Sequence, residues 1–487
     1  MHLIFHGGRA RTIALTLFSG TLFGMANLVP ALWWLSIPAL ALLALLVETA
    51  SSRRSAIFIA VSAGIIKMLF VMSWSLTIYP VDWFTDAPHS LQIAALLFCW
   101  MGTGITIGAG FGLLGVLRLV KGRSWAARAV VFAVLIVASE NLGALLFSIF
   151  SYGPGSTFNT NFGFGMTGFS MVDHGLLRLV TPYGGVYILG VMAGLFAYIL
   201  RVLLEKNVYY SVLFLCIFVG TGYLHTPRIP LPPMRVAAIG TSFPSFRTQT
   251  YADMRNDQRF THEAVRSALA SGAEMVVLTE DQRFGYSIDS DALFSELAST
   301  THVHNAVVVD SYRTDTSTES VVLRAYVYDI DARKTYTQDK KFLVPIGEYV
   351  PSLFSMILGT LQGNAAFNPM KYTIGAVQIP QDAPARIPSI LFCFENIAGL
   401  FAKEAVGTRS PLLVVHPVSH SWFHYHSVLD NEERQTLMVQ AMFTGVPILQ
   451  AGNAAPNVLY APDGTSYRGT TYAETDRYTI TLFDTRL

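Results

Sequence analysis

Along the chain, apolar positions follow two different patterns. Up to about residue 225 they come in long runs, near 11–29, 31–48, 55–75, 91–118, 127–148, 182–201 and 207–225. Each run is near the length a helix needs to cross roughly 30 Å of hydrocarbon, so seven spans are predicted. The first two are separated only by a tight turn around Pro30. Pro227, Pro230, Pro232 and Pro233 then mark a break. Beyond it, short apolar strands alternate with amphipathic helices. Strands are predicted at 235–239, 274–279, 305–310, 321–328, 389–394, 412–416, 447–450 and 478–483, and helices at 260–271, 291–299, 396–405 and 431–443. Gly272 and Gly445 are placed as helix stops. The expected organisation is a polytopic helical membrane bundle over residues 1–228 followed by a layered α/β domain over 229–487.

Composition agrees with this division. Hydrophobic residues make up 52% of the 487 and charged residues 13%, against about a quarter charged in an ordinary soluble domain. The charges are sparse before residue 230 and frequent after it. A net charge of +1 argues against a nucleic-acid partner. Arg9 and Arg11 precede an apolar run as in a signal peptide, but the further runs favour a retained first helix. Basic residues cluster at Arg9 and Arg11, at Arg53 and Arg54, at Lys121, Arg123 and Arg128, and at Arg201 and Lys206. The loop 76–90 holds Asp82 and Asp86 but no Lys or Arg, and the loop 149–181 only Arg178. With seven spans all four clusters face the cytoplasm, and the second domain emerges on the periplasmic side of a bacterial inner membrane. An even count would scatter them to both sides.

Three strand ends in the second domain carry reactive groups. Met275-Val-Val-Leu-Thr-Glu280 reads as a buried strand with a carboxylate at its tip. Lys340 and Glu348 flank a stiff Pro-Ile-Gly turn at 345–347. Ser389-Ile-Leu-Phe-Cys393 brings a thiol to the end of an apolar strand, directly before a predicted helix. Of the three cysteines, Cys99 and Cys216 lie in apolar spans and read as packing residues, which leaves Cys393 alone in the second domain. A thiol at a helix N-terminus near a lysine is expected to have a lowered pKa. Glu280 as base, Lys340 as oxyanion stabiliser and Cys393 as nucleophile make a complete acyl-transfer set.

The run Asp339-Lys340-Lys341-Phe342-Leu343-Val344-Pro345-Ile346-Gly347-Glu348-Tyr349-Val350-Pro351 resembles the Asp-Lys-Arg-His-Leu-Val-Pro-Phe-Gly-Glu-Tyr-Val-Pro of the apolipoprotein N-acyltransferase family. That family is a membrane-bound branch of the nitrilase, or carbon–nitrogen hydrolase, superfamily. Cys393-Phe394-Glu395 resembles its Cys-Tyr-Glu, Ser421-Trp422-Phe423 its Ala/Ser-Trp-Phe, and Thr444-Gly445-Val446-Pro447 its Thr-Gly-Arg-Pro. The resemblance implies a nitrilase-type αββα sandwich, the triad Glu280, Lys340 and Cys393, and supporting roles for Glu348, Glu395 and Trp422. It further implies a phospholipid acyl donor at the lipid bilayer, a Cys thioester, and transfer to the N-terminal amine of a diacylglyceryl lipoprotein. No cofactor is needed. The chain departs from the pattern at Thr279 (proline in the family), Phe394 (tyrosine), Ser419-His420 (Asn-Asp) and His424 (glycine). It also lacks a tryptophan in 240–256 and the family's usual final membrane helix. These departures keep alternatives open: a membrane-tethered amidase that gives its thioester to water, or a non-catalytic relative in an envelope or conjugal-transfer assembly.

Two further features bear on the site. His416, His420, His424 and His426 crowd around Trp422, yet the sequence places no cysteine or carboxylate beside them to complete a zinc set, so they are expected to line a pocket wall rather than bind metal. The apolar stretch 352–363, interrupted by Gly359 and Gly363, reads as a flexible arm touching the bilayer, with a core helix as the alternative. The aromatic-rich loop 149–181 reads equally as an interfacial segment or as a plain connector.

Overall fold

The computed structural model describes residues 8–81, 87–244, 250–315, 320–362 and 372–486. Asp82, Asp86 and Gly363 lie outside them. Among the described residues the first part of the chain is helical: α1 (Arg9–Leu28), α2 (Ser36–Thr49), α3 (Arg53–Val71), α4 (His89–Ala109), α5 (Trp125–Phe150), α6 (Thr181–Lys206) and α7 (Val208–Gly222). All seven fall on expected spans. Counted with their 3-10 extensions, five helical stretches are long and apolar enough to cross a membrane: Pro30–Thr49, Arg53–Ile78, His89–Val120, Trp125–Phe150 and Gly175–Lys206. Val208–Gly222 is apolar but shorter.

One end of this bundle is held by charge. Glu48, at the end of α2, pairs with Arg128 in the first turn of α5 (3.1 Å) and with Arg201 near the end of α6. At the other end, Lys67 of α3 and Glu140 of α5 form a 2.7 Å pair, both buried. Thr167 adds its backbone N–H (2.9 Å) and hydroxyl to the same Glu140 oxygen. A buried ion is costly unless paired and hydrogen-bonded. Lys67→Met is therefore expected to destabilise the bundle by roughly 3–5 kcal/mol, because it leaves Glu140 buried without its partner. Lys67→Met combined with Glu140→Gln should recover much of that loss. Thermal melting of detergent-purified protein checks it, and equal melting of single and double variants would contradict the pairing argument.

The second domain has twelve strands among the described residues, hydrogen-bonded in two layers. One layer runs β11 (Thr470–Glu474), β12 (Tyr478–Asp484), β1 (Arg235–Thr241), β2 (Met275–Val277), β3 (Val307–Asp315), β4 (Val321–Asp329), β5 (Lys334–Asp339). The other runs β6 (Ser389–Ile390), β7 (Val414–Ser419), β8 (Ile448–Asn453), β9 (Val458–Tyr460), β10 (Ser466–Tyr467). They touch where Thr241 of β1 meets Asn453 of β8. Alternation along β1 shows why there are two layers. Val236 and Ala238 face inward onto Phe392, Val415 and Leu449 of the second layer. Ala237 and Ile239 face outward onto α8 (Tyr251–Ala270) and α9 (Ser290–Thr300). On the far side, α11 (Phe401–Val406) and α12 (Ser427–Thr444) cover Val414 and Ile448. The order helix, sheet, sheet, helix is the expected αββα sandwich. Strands β5 and β9–β11 were not predicted. They are polar or very short, and only their neighbours make them strands.

The outer helical layer is shared with the membrane bundle. Leu437, Met438 and Met442 of α12 lie in one apolar cluster with Val186 and Leu189 of α6. The loop 149–181 is neither a free interfacial segment nor a plain connector. Arg434 of α12 holds Asp173 bidentately (2.9 and 2.8 Å), and Tyr349 Oη donates to the Ser151 carbonyl at 3.0 Å. Gly163 lies so close to the Ile397 carbonyl that a Cβ there would collide with it. The segment predicted as a flexible arm is, as far as it is described, a helix, α10 (Ser352–Gln362). Its Phe354 is buried against Phe98 of α4 and Phe150 of α5, 5.2 and 6.0 Å between ring centres, which corrects the expectation of a free arm.

Candidate active site

The parallel strands β1, β2, β7 and β8 end on one side of the domain, and the groups just past them converge, as expected for a layered α/β fold. Glu280 stands three residues beyond β2, in a turn where Asp281, Arg283 and Ser287 all take positive φ (61°, 60° and 63°). That backbone is costly for side-chain-bearing residues and persists where surroundings enforce it. Here Asp281 is gripped by Arg283 and Arg313, each at 3.1 Å, and its N–H donates to Ser311 Oγ at 3.0 Å. Buried Asp310 accepts the Gly285 N–H at 3.0 Å, and burial pushes its carboxyl up to about 7. Thr279, where the family has proline, shares a 3.3 Å hydroxyl contact with Thr241.

Lys340 follows β5 and is fully buried. Its ammonium donates to Glu280 Oε1 at 3.0 Å and to Glu348 Oε1 at 2.8 Å. Burial alone would lower its pKa, but the Glu280 and Glu348 carboxylates outweigh it and hold the lysine well above the ordinary value. Glu348 also accepts the Val344 N–H at 2.7 Å, which closes the Pro-Ile-Gly turn. Ile346 at the centre of that turn has φ +68°, an uncommon conformation for a β-branched residue. Glu395 bridges the two reactive segments. It accepts Lys341 N–H at 2.6 Å on one oxygen and Phe392 N–H at 2.9 Å on the other. Burial raises it to about 7 against those donors.

Cys393 opens a five-residue 3-10 turn, Cys393–Ile397, and α11 follows after a break; the single helix predicted at 396–405 does not form. The expectation of a lowered thiol pKa is also corrected. Burial, with Glu280 adding to it, pushes the thiol well above its ordinary value, although Lys340 pulls the other way. The Cys393 side chain keeps some exposed surface. Burial likewise raises Glu280, despite Lys340. A carboxylate whose pKa is raised in this way is a stronger base than an ordinary glutamate.

Glu280, Lys340, Glu348, Cys393 and Trp422 all border one cavity of about 940 Å³, large for a small-molecule site. Glu395 stands behind the wall. Much of its apolar lining comes from the membrane half, with Met72, Trp74, Leu96, Phe147, Phe150, Phe162 and Phe164, while the second domain adds polar side chains that include Arg255, Arg283 and Arg313. Cys99 borders it too, while Cys216 is exposed on α7. Phe394 sits among these rings, 5.9 Å from Phe162 and 6.3 Å from Phe164.

A second polar cluster on the same wall was not foreseen. Glu433 of α12 accepts His416 Nε2 (3.1 Å), faces His420 Nε2 (3.2 Å) and accepts Gln450 Nε2 (3.1 Å). Burial alone would raise Glu433, but the His420 charge and the His416 bond bring it down to about 2. Burial alone would lower His420, but Glu433 and Asp430 hold it up at about 9. Asp430 is the carboxylate said above to be missing near the histidines. It meets His420 Nδ1 at 2.9 Å and His426 Nδ1 at 2.8 Å. The only signal in the sequence was its place directly before the helix predicted at 431–443.

The membrane half carries a family match. Residues 19–199 match the family model described as the apolipoprotein N-acyltransferase N-terminal domain. Over those residues the chain is similar to the apolipoprotein N-acyltransferase family. An apolipoprotein N-acyltransferase of Ralstonia nicotianae is 24% identical over 457 residues, 89% of this chain and 80% of that one. One from Gloeobacter violaceus is 25% identical over 481 residues, covering 94% and 86%. Among solved structures, an amidase from Nesterenkonia sp. aligns at 17% identity and TM-score 0.35, covering 53% of this chain and 92% of its own. These similarities support, in general terms, a bacterial membrane protein of acyltransferase type with a role in lipoprotein N-acylation.

Proposed function

We propose that this N-acyltransferase works by a ping-pong mechanism through a thioester on Cys393. The supporting observation is the joining, in one cavity, of a carboxylate–ammonium–thiol set with an apolar chamber made by membrane helices. An acyl chain has a dry place to lie while its ester carbonyl meets the sulfur. Glu280 takes the thiol proton as sulfur attacks the carbonyl of a phospholipid, and Lys340 holds the oxyanion. Collapse breaks the ester C–O bond, and the proton on Glu280 passes to the departing lysophospholipid. The N-terminal amine of a diacylglyceryl lipoprotein then attacks the thioester, Glu280 accepts an amine proton, and the thiol leaves with it. Glu348 holds the Lys340 ammonium in place, Glu395 ties the lysine segment to the cysteine turn, and Trp422 shapes the wall.

The test is mass spectrometry of purified protein mixed with phospholipid. One acyl mass is expected on the Cys393 peptide, discharged by a diacylglyceryl-cysteine peptide amine and persisting in buffer. An adduct that water clears as fast as the amine does would point to an amidase instead.

We further propose that the domain from 229 onward lies on the periplasmic side. Arg128, Arg201 and Lys206 are at the end of α5 and α6 remote from it, since Ser151 and Gly185, at the opposite ends, touch Tyr349 and Phe443. The positive-inside rule puts that remote end in the cytoplasm. A phosphatase reporter fused after Pro233 should be active. Silence there, with a fluorescent cytoplasmic reporter active instead, would overturn this orientation.

A further inference from the structure

The structure assigns a divalent metal site, of zinc class, to His420, His426 and Asp430, built where the chain departs from its family's Asn-Asp pattern. One donor atom from each of the three lies within 4.8 Å of the others. Zinc holds nitrogen and oxygen donors at about 2.0–2.1 Å in tetrahedral array, so its donors sit roughly 3.4 Å apart. The cluster therefore has to close by no more than about 1.4 Å. His426 and Asp430, on adjoining turns at the start of α12, are 32% and 26% exposed and free to make that adjustment, whereas His420 is fixed at 2%.

The fixed histidine has the outer contact that metal-binding imidazoles almost always show. Its Nε2 points at Glu433 (3.2 Å), which leaves Nδ1 as the metal-facing atom. Glu433 is in turn held by His416 and Gln450, so the outer shell is itself oriented. Two imidazoles and one carboxylate leave a fourth position open toward solvent on the exposed side. On binding, the metal takes the place of the proton shared between Asp430 and His420 Nδ1, and that proton passes to solvent.

The position suggests what the metal does. Residues 420–426 carry Trp422 and Phe423 onto the cavity wall, and Phe423 packs edge-on against Trp74 at 5.4 Å. His424 reaches the other way: its N–H donates to the Thr77 carbonyl at 3.0 Å and its ring meets the Pro80 carbonyl at 3.1 Å. A metal joining His420 to His426 and Asp430 staples this loop to α12, and so fixes the wall between catalytic domain and membrane helices. This inference is independent of the thioester mechanism.

The test uses full-length, detergent-purified protein without a polyhistidine tag, stripped with chelator and dialysed against zinc. About one zinc per chain is expected by elemental analysis. His426→Ala and Asp430→Asn should each retain less than a tenth of that, and Cys393→Ala as much as the parent. Cobalt in place of zinc should give the intense visible bands of a tetrahedral site without a thiolate charge-transfer band. Cobalt reads the parent protein directly, so the answer does not depend on either variant folding. Parent protein that retains no zinc above the two variants, or that binds cobalt only with the weak spectrum of the aqueous ion, overturns the assignment.

Discussion

Cys393→Ala is expected to abolish acyl-enzyme formation while leaving the protein folded and in the membrane. The side chain opens a short turn whose backbone is held by Glu395, not by the sulfur, so its loss should barely disturb the fold. No other cysteine is available in the domain, since Cys99 and Cys216 belong to the membrane half. Glu280→Gln should fail differently. The thiol remains but its base is gone, and because burial keeps that thiol neutral the base matters more than it would for a preformed thiolate. Acylation should slow by roughly 10²–10⁴-fold, while a small alkylating reagent still labels Cys393 at elevated pH. The parent enzyme should lose activity as the pH falls through the Glu280 pKa. Burial raises that pKa, so the acid limb should lie above the ordinary carboxylate range. The Gln variant should lack that limb. Single-turnover acylation followed by intact-mass measurement reads all three. A Cys393→Ala strain that fully complements a deletion, with protein at normal level, would rule out catalysis as this chain's role.

Lys340→Arg is expected to lower acylation by on the order of 10²–10³-fold although it keeps the charge. The ammonium is a compact donor with carboxylate oxygens at 3.0 and 2.8 Å and no exposed surface. A planar guanidinium on a longer stem cannot hold both carboxylates and face the cavity from that position. Lys341→Ala should be mild. The backbone N–H of Lys341, not its side chain, is what Glu395 binds, and its ammonium lies 5.8 Å from the Phe401 ring centre at the margin of the site. Paired measurements of acylation rate and melting temperature separate the chemistry from any folding loss. If the two variants exchanged effects, the catalytic lysine would be the second of the pair.

The departures from the family pattern also have physical accounts. Thr279 pairs its hydroxyl with Thr241, Phe394 joins an aromatic cluster that needs no hydroxyl, and Ser419 Oγ accepts Asn453 Nδ2 at 3.0 Å. His424 stands where the family has glycine, and its ring adds a contact with the Pro80 carbonyl to the backbone bond with Thr77 that a glycine could also make.

Local pattern was enough for much of this protein. Seven apolar runs announce α1 to α7, because a helix in hydrocarbon must be apolar nearly all round and long enough to cross. Period-two runs announce β1, β3, β4 and β12, because one face of each meets the inter-sheet core. Glu280, Lys340 and Cys393 were legible as reactive groups at strand ends, and the run 339–351 made the family visible. What the sequence could not decide was which buried faces meet. The cavity is walled by Trp74, Phe147 and Phe162 on one side and by Glu433 and His420 on the other, hundreds of residues apart. Asp430 meets His426 locally, four residues back, but reaches His420 only because α12 begins against the end of β7. The thiol pKa went the opposite way from its expectation for the same reason. A lysine and a helix start can be read locally, but desolvation is set by everything packed around the sulfur, and only the tertiary structure assembles that.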